Sequence, residues 1–230
     1  MFARILSLVL LSTLVLGALS DGVTFKNVKI QYETDANKNF TVEINSAKTL
    51  KTELNVPQVT RIRIVEGSIP VIYADAFSDF PALKELQLSQ SDIENIHPGA
   101  FSNVPVLASL KLSKNKITTI NQGVFANLNL QVLDLEYNSI ENVSPHAFDD
   151  LPHLESLELG HNKIKIFHPE WLQGKEKLEE VSLDYNQIEE LPSGAFANYH
   201  NSVRLNNNKI KSVSRNIFGS DDKIVFGELW

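Results

Sequence analysis

Cysteine is absent from the 230 residues. That removes disulfide staples, thiolate metal sites, iron–sulfur clusters and cysteine nucleophiles together. Glycine is sparse, at 10 residues, and none of it builds a phosphate-cradling loop. Positive charge is in deficit: 21 Lys and Arg stand against 28 Asp and Glu, a net charge of −7. Charge-driven binding to a phosphate backbone is not expected, so nucleic acid is set aside as a partner. No G-x-S-x-G, no H-E-x-x-H and no paired carboxylates on a plausible cleft occur, so no enzymatic activity is expected. Asp134, Glu158 and His161 come nearest to a cation site, but no dense carboxylate loop accompanies them. The expectation is therefore no metal and no cofactor. His97, His146, His153, His168 and His200 fall on turns or loops, where a scattered histidine is usually plain surface.

Long apolar runs are also lacking, with one exception at the start. Arg4 precedes Ile5 to Leu16, interrupted only by Ser7, Ser12 and Thr13, and Ala18-Leu19-Ser20 places small residues at a cleavage site. The run is too short to span a bilayer. Residues 1–20 therefore read as a signal peptide, with a mature chain from Asp21 that is secreted, extracellular and not inserted in a membrane.

What the chain has in abundance is self-similarity. Ile62-x-Ile64, Leu86-x-Leu88, Leu110-x-Leu112, Leu133-x-Leu135, Leu157-x-Leu159, Val181-x-Leu183 and Val203-x-Leu205 follow one another at intervals of 24, 24, 23, 24, 24 and 22 residues. A second aliphatic series (Ile72, Ile96, Ile120, Val143, Phe167, Leu191, Val213) is followed five residues later by Phe77, Phe101, Phe125, Phe148, Leu172, Phe196 and Phe218. A constant period near 24 means one supersecondary turn repeated, whose apolar face is buried only by its neighbours. Three residues after each L-x-L pair stands Asn115, Asn138, Asn162, Asn186 or Asn208, with Gly67 and Ser91 in the first two units. A stacked inward Asn can bond backbone groups left unpaired where a strand ends.

These residues, as in Leu107-Ala108-Ser109-Leu110-Lys111-Leu112-Ser113-Lys114-Asn115-Lys116-Ile117, resemble the extracellular, roughly 24-residue subtype of the leucine-rich repeat family, with a phenylalanine spine. The resemblance implies an α/β solenoid: a curved array with a parallel concave sheet and an irregular or short-helical convex side. Period-2 alternation in each x-L-x-L-x segment independently asks for a short strand with Leu inward. Pro70, Pro81, Pro98, Pro105, Pro145, Pro152, Pro169 and Pro192 all lie outside those strands, as a missing N–H donor requires. The expected organisation is signal peptide 1–20, N-terminal capping strands 21–56, seven repeats 57–220 and a C-terminal cap or tail 221–230. Extracellular members usually cap with cysteine clusters. Here Val23 to Ile30 and Phe40 to Ile44 alternate as two strands, a hairpin-like lid, and Lys223 to Trp230 reads as a capping strand or a sticky edge.

Function has to be sought on the outward strand positions. The first three units carry Arg61, Arg63, Glu66, Glu85, Lys111 and Lys114, summing to +2. The next three carry Asp134, Glu136, Glu158, Glu180 and Asp184 without a base, beside Tyr137, His161 and Tyr185 in one column. Like charges on adjacent strands repel by a few tenths of a kcal/mol, which a fold alone does not ask for, and amphipathic rings are favoured binding anchors. Asp134, Glu136, Tyr137, Glu158, His161, Glu180, Asp184 and Tyr185 are therefore the expected ligand-binding residues, for a basic or mixed-charge protein ligand or a glycan. Immunity, adhesion and matrix contexts all fit the resemblance. The alternatives are a homodimer pairing the basic half with the acidic half, and a decoy of a membrane-bound relative. Asn39-Phe40-Thr41 and Asn142-Val143-Ser144 are N-glycosylation acceptors in a secretory pathway, at Asn39 and Asn142.

Overall fold

The structure, a computed structural model, describes residues 25–44, 50, 54, 56–197, 199, 201–214 and 216–218. The expected signal peptide and the C-terminal cap or tail lie outside the described residues. The first described element is an antiparallel hairpin of β1 (Lys26–Thr34) and β2 (Asn39–Ile44). β3 (Val59–Ser68) runs antiparallel to β1 and begins the coils. The coils then contribute two-residue strands on one side and three-residue strands on the other, except that among the described residues no two-residue strand intervenes between the strands Ser156–Glu158 and Glu180–Ser182. In chain order these are β4 (Val71–Ile72), β5 (Glu85–Gln87), β6 (Asn95–Ile96), β7 (Ser109–Lys111), β8 (Thr119–Ile120), β9 (Val132–Asp134), β10 (Asn142–Val143) and β11 (Ser156–Glu158). They continue with β12 (Glu180–Ser182), β13 (Glu190–Leu191), β14 (Ser202–Arg204) and β15 (Ser212–Val213).

The main sheet has nine strands in the order β14-β12-β11-β9-β7-β5-β3-β1-β2. Seven are parallel and set by the repeat; β1 and β2 continue the same sheet antiparallel. The register aligns Ile62, Leu86, Leu110, Leu133, Leu157, Val181 and Val203 side by side. The two short coils therefore lose residues without shifting a strand, and a one-residue slip would have turned every Leu to solvent. From Ile62 to Val181 this row is completely buried, and only Val203, in the last strand, is partly open.

Of the irregular or short-helical convex side that the resemblance implies, the side opposite the sheet takes the irregular form. Among the described residues it consists of turns, the two-residue strands, and a single 3₁₀ turn at Pro169–Leu172; a second 3₁₀ turn, Val56–Gln58, precedes β3. The reason lies in the hydrogen bonds. Asp75 N–H donates to Gly99 O (2.9 Å), Phe77 N–H to Ala100 O (2.9 Å) and Phe196 N–H to Ile217 O (2.7 Å). Donors that an α-helix would use internally are committed to the next coil.

The aromatic spine runs through the coils in stacked or edge-on pairs. Phe25 meets Phe77 edge-on at 6.3 Å, Phe77 lies over Phe101 at 6.3 Å, and Phe125 lies over Phe148 at 6.2 Å. In the fifth coil the spine position expected at Leu172 is filled instead by Trp171, edge-on to Phe148 (6.1 Å) and Phe167 (5.5 Å). Pro169 tightens that turn into a 3₁₀ form and swings the indole inward, where its Nε1–H donates to Ser144 O at 3.1 Å. Leu172 packs beside it, also buried.

The asparagines form the expected ladder. Asn162 Oδ1 accepts from Ile140 N–H (3.0 Å), and its Nδ2 donates to Leu135 O and Leu159 O (3.0 Å each). Asn115, Asn138, Asn186 and Asn208 repeat the pattern. Each amide thus ties its own coil to the preceding one. Gly67 takes this position in the first coil, where β1 has replaced a preceding coil. A Cβ there would lie 2.6 Å from both Asn27 O and Val28 Cα, and its φ is +106°.

Candidate functional site

Every ladder Asn, and Ser91 at the same place in the second unit, is preceded by a residue in the left-handed region: Gln90, Lys114, Tyr137, His161, Tyr185 and Asn207 have φ between 53° and 59°. For a side chain other than glycine this costs about 1–2 kcal/mol. The cost is met because the turn is what brings the following residue inward to bond the backbone. The geometrical consequence is a column of side chains thrown outward at the end of each strand.

Tyr137, His161 and Tyr185 occupy three successive places in that column and stack. The centroids of Tyr137 and His161 are 4.1 Å apart with 10° between planes, and those of His161 and Tyr185 are 4.2 Å apart with 11°. Strands sit about 4.8 Å apart, so the rings lean into contact. The Lys114 ammonium extends the column, 6.0 Å from the Tyr137 centroid. About half of each tyrosine remains open to solvent (47% and 51%).

Beside the rings lie the five expected carboxylates. Glu158 is in register with Asp134 on one side and Ser182 on the other. Asp134 Oδ1 accepts from Glu136 N–H (3.0 Å), and Ser156 Oγ donates to Glu158 Oε1 (2.7 Å). Glu136 reaches across Gly160: a Cβ at Gly160 would come within 2.8 Å of Glu136 Oε1 and 3.0 Å of Ser182 Oγ. Burial raises the Glu136 carboxyl above the ordinary glutamate range. Its neighbours Glu158 and Asp134 push the same way, against His161 and Arg204.

The structure also brings in a residue that reading unit by unit leaves outside the patch. Arg204 of β14 crosses Ser182 and pairs with Glu158 Oε2 (3.2 Å), Asp184 Oδ2 (3.2 Å) and Glu180 Oε1. The group is five carboxylates around one guanidinium rather than an unrelieved acidic face. The signal was available in the sequence: down one sheet column the order is Glu158, Ser182, Arg204, and a small residue between opposite charges leaves room for them to meet.

The N-terminal end of the same face is organised differently. Arg61 donates to Glu33 (2.6 Å) and Glu85 (2.7 Å), and Lys111 donates to Glu85 (3.1 Å), a chain of alternating charge across β1, β3, β5 and β7. Burial pushes Glu85 up, but the hydrogen bonds from Arg61 and Lys111 outweigh it and hold its carboxyl below the usual range. Asn39, paired in register with Glu33, lies on this face. Asn142 lies in β10, on the two-residue strands across the coil. Among the described residues no cluster of His, Cys, Asp or Glu could hold a metal ion, and no helix is long and apolar enough to cross a membrane.

In-register coils, a buried amide ladder and an outward lattice of variable side chains define a solenoid repeat protein, a scaffold for binding. Residues 57–113, 81–140, 105–164 and 128–188 each match the leucine rich repeat family. These overlapping stretches span more than half of the chain, which belongs to that family. No curated protein matches it at the stringency applied. Among similar solved structures is the crystal structure of the TLR13–ssRNA13 complex, 39% identical, covering 50% of this chain and 16% of that one, with a TM-score of 0.48. The chain thus spans about a sixth of that receptor. This corrects one expectation. A repeat protein similar to this chain is solved with an RNA, so nucleic acid cannot be set aside on net charge. Net charge sums over the whole surface, whereas contact is local, and Arg61, Arg63, Lys111 and Lys114 share one end of the sheet face.

Proposed function

We propose that this chain is a secreted, non-enzymatic recognition protein that binds a protein ligand rich in basic side chains through the sheet face between β9 and β14. The observation that carries the reading is the Tyr137–His161–Tyr185 stack set beside Asp134, Glu136, Glu158, Glu180 and Asp184. Five carboxylates against one guanidinium leave a local excess of four negative charges. The rings offer rigid, amphipathic contact area at small entropic cost. Charge of one sign steers a partner of the other, and the stacked edges give it a place to lodge. Residues 1–20 serve as the cleaved signal peptide in this reading, and the mature N-terminus is Asp21.

The test compares the wild type with a Glu158→Gln, Tyr185→Ala double variant. Gln removes the charge while its amide oxygen still accepts from Arg204 and its NH2 can donate to Ser156 Oγ in place of the bond that Glu158 accepts there. Binding of a Lys/Arg-rich peptide is measured over a salt series, with single-stranded RNA run in parallel. Loss of at least ten-fold in peptide affinity, with the melting temperature within a few degrees of wild type, supports the reading. Undiminished peptide binding, or capture of RNA and not of peptide, refutes it.

A further inference from the structure

The hairpin places a glycosylation acceptor on the sheet face itself. Asn39 is the first residue of β2 and is exposed. The pairings Asn39–Glu33, Glu33–Arg61 and Arg61–Glu85 set it at one end of a row crossing β2, β1, β3 and β5. Along this row the surface dips into a depression of about 410 Å³. Arg61 and Glu85 are committed to each other on its floor. The neighbouring row is not committed. Gln31, Arg63 and Gln87 lie side by side on β1, β3 and β5, line the same depression, and make no side-chain hydrogen bond or ion pair among the described residues.

The result is an open, polar hollow furnished with two amides and a guanidinium that are uncommitted among the described residues, next to an acceptor Asn in an Asn-Phe-Thr sequon. Three strand spacings, about 14 Å, separate β2 from β5, a span that a tethered oligosaccharide covers. Sugar hydroxyls and acetamido groups are hydrogen-bonding partners for amide and guanidinium donors, and a glycan is bulky and hydrated. We propose that Asn39 carries an N-linked glycan whose first sugars lie in this depression against Gln31, Arg63 and Gln87. It closes the N-terminal end of the sheet face, so that a partner gains access only from β7 onward. A glycan on Asn142, across the coil, would leave the face open. The proposal rests on the secreted reading above, because the modification needs the secretory pathway.

The experiment expresses the wild type and the Asn39→Gln, Thr41→Ala and Asn142→Gln variants in secreting cells. Peptide mass spectrometry reads occupancy at each Asn, and an arginine-directed reagent, phenylglyoxal, reads the accessibility of Arg63. The expected result is an occupied Asn39 and Arg63 labelling several-fold slower in wild type than in Asn39→Gln, Thr41→Ala or enzymatically deglycosylated protein. Asn142→Gln should label like wild type. An unmodified Asn39 beside a modified Asn142 overturns the proposal and leaves secretion standing. Occupied Asn39 with unchanged Arg63 labelling overturns the docking. Retention of the protein in the cell with neither Asn modified overturns both the proposal and the secreted reading.

Discussion

Replacing Asn162 by Ala removes one rung of the ladder, and its cost can be worked from the bonds. Among the described residues Ile140 N–H donates to Asn162 Oδ1 alone, so the variant leaves a buried donor unpaired, at about 1–3 kcal/mol. The two carbonyls keep a second partner each: Leu135 O still accepts from Asn138, and Leu159 O from Asn186. Their losses are those of ordinary hydrogen bonds, about 0.5–1.5 kcal/mol apiece. The sum is about 2–6 kcal/mol, a large share of the 5–15 kcal/mol typical of a domain. Urea unfolding followed by circular dichroism is the assay. With a slope near 2 kcal/mol/M, the midpoint should fall by about 1–3 M with the slope unchanged. Asn162→Asp keeps the acceptor but turns a carboxylate toward two carbonyls, so it should be at least as damaging. A loss below about 1 kcal/mol for Ala, or a mild Asp variant, would refute the view that the amide, donating and accepting at once, is what couples the coils.

Gly67→Ala should destabilise by at least about 3 kcal/mol, since both colliding atoms belong to the β1 backbone; rapid hydrogen exchange at Val28 and Ile30 would report a detached hairpin. Gly123→Ala, where the nearest atom is 4.0 Å away, should cost only the left-handed backbone penalty of about 1 kcal/mol, and equal losses at the two glycines would defeat the argument. Glu136 holds its proton more tightly folded than unfolded because of burial and its carboxylate neighbours. The folded state therefore binds more protons in the window just above the ordinary glutamate range, and stability drops as pH rises through it. Glu136→Gln should remove that slope and match or exceed wild-type stability at neutral pH, as urea midpoints across pH would show; a less stable variant would contradict the sign. Arg204→Gln frees Glu158, Glu180 and Asp184 from the one cation that they share among the described residues and should strengthen Lys/Arg-rich peptide binding several-fold; weakened binding would mean that Arg204 itself contacts the ligand.

How far the sequence could be read follows from what each feature depends on. The solenoid and its parallel register were legible because the Leu pairs and the ladder Asn repeat at fixed offsets, and both express backbone needs that every coil shares. The ring column was legible for the same reason, since a residue fixed relative to Asn162 is fixed relative to Asn138 and Asn186. What escaped depends on side chains crossing coils. Arg204 reaches over Ser182, and Glu136 over Gly160, so neither contact belongs to a single unit. Trp171 displaced Leu172 from the spine because Pro169 changed the turn, a local event that an averaged period hides. The convex side took the irregular rather than the short-helical form because the next coil already took the donors, as at Asp75 and Phe77.

The ladder and the candidate site are one device seen from two sides. Tyr137, His161 and Tyr185 are each followed immediately by a ladder amide, Asn138, Asn162 and Asn186. The left-handed turn that sends each amide inward sends the ring before it outward. Because the backbone there is dictated by the amide, the preceding side chain is free to be almost anything, and along the column it is Gln90, Lys114, three rings and Asn207. Recognition chemistry can therefore vary at these places without touching the register of the core. The converse also holds. Rings one strand apart stack at 4.1 and 4.2 Å only while the coils stay in register, so whatever loosens a rung of the ladder also disperses the surface that it holds out to a partner.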